Sequence, residues 1–277
     1  MGEAEAIARS VDGPVTRASL TADLAALDLA GATVLVHASL SALGWVCGGP
    51  VAVCEALRAA IGRDGTLVVP THTGLSDPAH WEHPPVPAAW VPTVRAALPP
   101  FDRALTPTRG MGAIPEVVRT HPEALRSPHP EVSFTALGPR AEELCGAHPL
   151  GDRLGERSPL ARLHDAEALV LLLGVDHAVN TSLHLAEYRS RVVARHRHHR
   201  LVPPCADGGN EAPEGAWIEV SDVVLDETDF ADLGSDYEAA HPDRLRLGRA
   251  GYGTARVLEQ RHLVGYAVGW LDRNRRP

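Results

Sequence analysis

The sequence predicts an α/β protein with a mixed, mainly parallel central sheet flanked by helices. Three observations carry this expectation. TVLVHA (33–38), TLVVP (66–70) and ALVLLLG (168–174) are apolar at consecutive rather than alternating positions, as strands buried on both faces are. Between the first two lies a helical pattern, VAVCEALRAAIG (51–62), followed by the turn GRDG. Strand, loop, helix, turn and strand form a βαβ unit, which implies a parallel pair with a right-handed crossover. Finally, 277 residues with 44% hydrophobic and 22% charged content can bury a large core without disulfide staples.

The remaining elements follow in order. Leu20, Leu24 and Leu27 recur at helical spacing, so a helix is expected over about 17–28, with Thr16 as its N-cap. SLSALGWVCGGP (39–50) reads as a Gly- and Ser-rich loop. Residues 71–92 hold Pro78, Pro84, Pro85, Pro87 and Pro92 with His72, His80 and His83. A loop of that length in a compact domain is more often functional than idle. Residues 114–120 read as a helix, 133–138 as a strand and 139–147 as a helix opening on Pro139. A helix begins near Asn180. WIEV is expected as a strand, 228–240 as a helix, ARVLE as a strand and the chain from Arg261 as a last helix. No composition break divides the chain, which reads as one domain over 1–277. Loop insertions are expected to form a substrate cleft, with an acidic, substrate-facing segment at about 200–245.

Charge narrows the function. The net charge is −9, with 35 acids against 26 Lys and Arg, and nucleic-acid phosphates call for clustered cations instead. Between Glu219 and Glu238 stand eight acids, among them Asp222, Asp226, Glu227, Asp229 and Asp236, with no Lys or Arg. That is either a solvated acidic face or an electrostatic trap for a polycation. Cys47, Cys54, Cys145 and Cys205 form no CxxC, so reduced thiols in a cytoplasm are expected. MGEAEAIARS lacks the basic and apolar regions of a signal peptide, and no apolar run approaches the ~18 residues of a membrane span. A soluble monomer or homodimer follows as the expectation.

Two places could carry chemistry. In NTSLHLAE (180–187), His184 and Glu187 sit at i and i+3 on one helix face, just beyond an apolar strand. Ligands of open α/β sheets bind at the carboxyl ends of strands. An imidazole in the first turns of a helix meets the positive end of the dipole, which favours the neutral ring that a general base needs. Glu187 could fix its tautomer, as the third member of a triad does. The second place is the 39–49 loop, whose Ser39, Ser41, Gly44, Gly48 and Gly49 deliver backbone N–H groups to a helix N-terminus suited to phosphates. Neither GxGxxG nor GxxxxGK[ST] is present. Cys47 in that loop is a rival acyl-accepting thiol. RHRHHR (195–200) and HWEH (80–83) are weak metal candidates, because neighbouring residues cannot converge on one ion, and no metal is expected. GxSxG is missing, which counts against a hydrolase serine.

Seven ordered stretches, from about residue 15 to 272, resemble the aminoglycoside 3-N-acetyltransferases, the antibiotic N-acetyltransferase family. They are VLVHASLSALGWVCGGP, VCEALRAAIGRDGTLVVPTHT, TPTRGMGAIPEVVRTHPEALRSPHPEVSFTALGP, RSPLARL, VLLLGVDHAVNTSLHLAE, WIEVSDVVLDETDF and ARVLEQRHLVGYAVGWL. The resemblance implies transfer of an acetyl group from acetyl-coenzyme A to the 3-amine of a 2-deoxystreptamine aminoglycoside, a polycation. It implies His184 as general base, with Glu187 and Asp226 as supporting carboxylates; Thr181 is a candidate oxyanion donor. Coenzyme A is implied along His37, Ala38, Ser39, Leu40, Ser41, Gly44, Val46, Gly48 and Gly49. Thr108, Met111, Gly112, Ser127, His129 and Ser133 are implied on the pantetheine side. Asp77, Asp222, Asp226 and Glu187 are implied to face the antibiotic. Leu185 stands where many members carry a second histidine. The 74–92 loop and the 200–215 segment match poorly, and related proteins acetylate other amines, including phosphonate antibiotics.

Overall fold

The computed structural model describes residues 2–81, 84–195, 197–203 and 217–276. The described elements run α1 (Glu3–Arg9), α2 (Arg17–Ala25), β1 (Thr33–Ala38), α3 (Gly49–Ile61), β2 (Thr66–Pro70), α4 (Val91–Ala97), α5 (Ala113–Arg119), β3 (Leu125–Arg126) and β4 (Phe134–Leu137). They continue as α6 (Ala141–Cys145), α7 (Pro159–Asp165), β5 (Leu169–Leu173), α8 (Ser182–Arg189), β6 (Arg197–Val202), β7 (Ile218–Val223), α9 (Phe230–Ala240), β8 (Leu245–Ala250), β9 (Gly253–Glu259) and α10 (Gln260–Asn274). Thr16 caps α2 as expected, its side chain accepting from the Ser19 N–H.

The α/β class and the mixed sheet stand as the sequence predicted. The expectation of a mainly parallel sheet is corrected. Seven strands lie in the order β3-β4-β2-β1-β5-β9-β8, and only β1 with β2 and β1 with β5 pair in parallel. The outer pairings are antiparallel. The reason lies partly in β8, LRLGRA, which the sequence reading passed over. Its burial alternates, it carries Arg246 and Arg249, and it forms the sheet edge, where charge discourages pairing with another chain. A tight turn at Gly251 (φ 57°) then folds β9 back against it. β6 and β7 form a separate antiparallel pair.

Side chains alternate across the central strands and so divide the core in two. Val34, Val36, Val69, Leu171 and Leu173 pack with residues of α2, α3 and α5 on one face. Leu35, Val68, Val170 and Leu172 pack with residues of α6 to α10 on the other. Burying each such side chain contributes about 1.5–3 kcal/mol. That makes the central strands a rigid base for whatever sits at their ends.

Candidate active site

β1 and β5 run parallel, with His37 opposite Leu172 and Ala38 opposite Leu173. Their carboxyl ends therefore open on one edge of the sheet, where ligands of such folds collect. Alternation sends Ala38 to the α3 face and His37 to the α8 face.

On the α3 side lies a cleft of about 590 Å³, within the ~300–1,000 Å³ usual for small-molecule sites. Ala38, Ser39, Leu40, Ser41, Gly44, Val46, Gly49, Met111 and Gly112, all named in the sequence reading, are among the residues that line it. Local chemistry shapes the loop. Gly44 has φ 89°, and a Cβ there would fall 2.6 Å from Tyr252 Cδ2 and 2.8 Å from Ser10 Oγ. Gly48, at φ 88°, turns the chain into α3, whose first residues Gly49 and Pro50 face the cleft. The remaining wall was not foreseen. Gly2, Glu3 and Ala6 of the N-terminal segment close it, and Trp45 Nε1 donates to Glu3 Oε1 at 3.0 Å.

Several expected coenzyme contacts are corrected. Ser127, His129 and Ser133 are fully buried. Ser127 Oγ is hydrogen-bonded to His148 Nδ1 at 3.0 Å and accepts from Phe134 N at 2.9 Å. His129 Nδ1 accepts from Val132 N. Ser133 Oγ donates to the Thr71 carbonyl at 2.7 Å and accepts from Arg126 Nε at 2.9 Å. These bonds tie the 127–133 loop to Phe134 at the start of β4, to Thr71 after β2, and to His148 and Arg126. His37 is buried rather than open to the cleft, and neither Gly48 nor Thr108, whose backbone N–H goes to Glu116 Oε1, is among the lining residues.

On the α8 side, Leu183, Leu185 and Ala186 anchor the helix in the core. His184 and Glu187 share its other face. His184 Nδ1 is 2.6 Å from Glu187 Oε2; the ring is 12% exposed and the carboxylate 0%. A buried charge needs partners, and Glu187 has them. Oε1 accepts from Asp226 N at 2.9 Å and from Arg275 Nη1 at 2.5 Å. Arg275 is held in turn by Asp229, at 2.8 Å from Nε and 2.5 Å from Nη2. Burial works against the Arg275 charge, yet the Asp229 and Glu187 bonds raise its pKa above the usual guanidinium value. Phe230 packs on the imidazole, ring centres 4.9 Å apart. Nε2 has no hydrogen-bond partner among the described residues, and Glu227 Oε2 stands 4.0 Å away. With Nδ1–H donating to Glu187, Nε2 keeps a free lone pair.

Asp226 joins the site by its backbone. Its carboxylate accepts from Thr228, whose hydrogen bonds lower its pKa, and the side chain is exposed beside the ring. Thr181 is buried, and its carbonyl accepts from His184 N at 3.1 Å. Three expected substrate carboxylates are corrected, Glu187 among them: it is fully buried against His184 and Arg275. Asp222 is fully buried; Arg153 Nε and Tyr188 hold its oxygens at 2.8 and 2.5 Å. Asp77 is paired with Arg95 at 2.9 and 2.6 Å and caps a short turn through Ala79 N. Each carboxylate serves an arginine and not a solvent-facing cleft.

His37 and His72 lie beneath the site, each with a buried Nε2 that has no hydrogen-bond partner among the described residues. Burial, reinforced by the nearby His184, lowers both pKa values to about 3. Both rings are neutral. The weak metal candidates HWEH and RHRHHR lie partly outside the described residues, and Cys205 lies wholly outside them. Arg275 and Asp229 went unassigned in the sequence reading. No motif marks an arginine 88 residues from the glutamate it binds.

The cleft and the imidazole lie on opposite faces of the sheet at the same strand ends. Comparison with known proteins gives the class, a family of transferases. Residues 35–272 match the family model described as aminoglycoside 3-N-acetyltransferase. The chain is 40% identical to the SPbeta prophage-derived aminoglycoside N(3')-acetyltransferase-like protein YokD of Bacillus subtilis, covering 97% of this chain and 96% of YokD. The YokD crystal structure superposes with a TM-score of 0.89 over 95% of each chain. Aminoglycoside N(3)-acetyltransferase VIII of Streptomyces fradiae is 38% identical over 98% of this chain and 96% of its own. The structure of AAC-IIIb binary with CoASH is 31% identical, with a TM-score of 0.81 over 96% of this chain and 100% of that one. The chain belongs to the aminoglycoside 3-N-acetyltransferase family.

Proposed function

We propose that this enzyme moves the acetyl group of acetyl-coenzyme A to the 3-amino group of a 2-deoxystreptamine aminoglycoside by direct transfer, in the cytoplasm. The observation that supports it best is the His184–Glu187 pair: a carboxylate held on one oxygen by two donors turns the other toward Nδ1 and leaves Nε2 as acceptor. Coenzyme A enters the cleft beside Ser39–Gly49, with its phosphates near the N-terminus of α3, where N–H groups and the helix dipole favour anions. A relative whose structure is binary with CoASH supports coenzyme A as the bound molecule. The thioester reaches over the ends of β1 and β5 toward α8.

The amine nitrogen attacks the thioester carbonyl as one N–H proton passes to His184 Nε2. The C–N bond forms, the C–S bond breaks, and the thiolate leaves with the proton that the imidazolium returns. Glu187 stabilises the imidazolium while it exists. Exposed Asp226 and Glu227 beside the ring attract a cationic substrate. His184→Ala should bind coenzyme A normally and lose turnover by about 10²–10⁴, the usual contribution of a positioned base. Near-normal turnover would remove the histidine from the mechanism. A panel of aminoglycosides with and without a 3-amine, followed by thiol release, tests the site of transfer.

A further inference from the structure

We infer that Arg275 is a positioning residue for the His184–Glu187 pair, a reading that rests on the reaction proposed above. It lies at the end of α10, beyond the 35–272 span that matches the family. One guanidinium there ties three separate segments together. Nη1 donates to Glu187 Oε1 on α8, the Nε and Nη2 fork grips Asp229, and Nη2 also donates to the Asp226 carbonyl. The side chain is 13% exposed and lies over the Phe230 ring that packs on His184.

Two consequences follow. Geometrically, Glu187 Oε1 is fixed between Arg275 and Asp226 N, so its plane cannot rotate and Oε2 stays on Nδ1. Electrically, the ring is faced by Glu187 from its own helix, Asp226 and Glu227 from the segment before α9, and the neutral His37 and His72 from the ends of β1 and β2. Arg275 is the cation that offsets those carboxylates. Removing it leaves that negative field uncompensated at the site, so the pH dependence of turnover should change. Lysine keeps the charge but cannot hold Asp229 with a planar fork while reaching Glu187.

The test is kcat and KM across pH for Arg275→Ala and Arg275→Lys beside His184→Ala. For Arg275→Ala, kcat should fall about 10-fold or more with KM for acetyl-coenzyme A nearly unchanged, and the acidic limb of the kcat profile should move up by about one pH unit. Added guanidinium ion should restore part of the rate. Arg275→Lys should lose rate while its acidic limb stays in place, which keeps the test available if the alanine variant folds poorly. Unchanged kcat, or a loss with the wild-type profile and no guanidinium rescue, overturns the inference. If His184→Ala retains turnover, the base reading itself fails; if it is inactive while Arg275→Ala keeps the wild-type profile, only the present inference fails.

Discussion

Two histidines, one between α6 and α7 and one on α8, show what separates a working polar group from a structural one. His148 and His184 are both imidazoles set against the core. His148 Nε2 donates to the Arg153 carbonyl at 2.6 Å, and Nδ1 meets the Ser127 hydroxyl at 3.0 Å. Both nitrogens are occupied, the residue is 2% exposed, and burial beside His129 pushes its pKa well below the ordinary value. His184 has one nitrogen fixed by a carboxylate and the other unpartnered among the described residues. Burial and hydrogen bonding are common to both. The unfilled acceptor position is the difference, and only His184 can take a proton from a guest.

The sharpest way to break this contrast is to remove each ring in turn. His184→Ala should lose about 10²–10⁴ in kcat with its melting temperature close to wild type. His148→Ala should lose about 2–4 kcal/mol of stability, because it leaves a cavity and unpaired polar groups, while the folded fraction turns over normally. Calorimetry beside thiol-release kinetics separates the two. The same contrast applies to the carboxylates. Asp222→Asn should destabilise by about 3–5 kcal/mol, because it leaves the Arg153 charge buried and poorly matched. Asp226→Asn should leave stability nearly unchanged and raise KM for a cationic substrate, with a salt dependence smaller than wild type. Equal stability losses in the two variants would erase the distinction between interior and site acids.

A further effect comes from pH. His37 and His72 have pKa values lowered to about 3, whereas an unfolded histidine titrates near 6.5. Between those values the unfolded chain binds protons that the native state refuses, so stability is full above about pH 6.5 and falls as pH drops toward 3. The slope is up to about 1.4 kcal/mol per pH unit for each ring. Chemical denaturation at several pH values should show it, and His72→Gln should flatten it; an unchanged slope in that variant would mean the ring is protonated when native. The least change is expected from Cys47→Ser. Cys47 is exposed on the loop, while Val46 and Gly49 beside it face the cleft. Turnover within about twofold of wild type is expected for direct transfer, whereas an acetyl adduct on Cys47, seen by mass spectrometry, would favour the thiol route.

What could be read beforehand divides along physical lines. β1, α3 and β2 came directly from consecutive apolar residues and helical spacing, and the loop that borders the cleft from glycines and serines adjacent in the chain. His184 and Glu187 were visible because three residues along a helix return to one face. β8 was missed because an edge strand alternates and carries arginines, which reads as loop. Asp77 and Asp222 were misplaced because a carboxylate's partner, Arg95 or Arg153, is fixed by tertiary folding and leaves no local pattern. The same holds for Arg275 and for the buried serines of the 127–133 loop. Local periodicity reveals elements, and contiguous motifs reveal backbone sites. Ion pairs between distant segments need the fold.

The central claim is that His184 presents a bare Nε2 to the substrate, and ring-nitrogen NMR of histidine-labelled enzyme tests it most directly, with the His184→Ala variant giving the assignment. The account predicts a proton on Nδ1, shared toward Glu187, and a pyridine-type signal from Nε2 at neutral pH. A proton on Nε2 with Nδ1 unprotonated would contradict it.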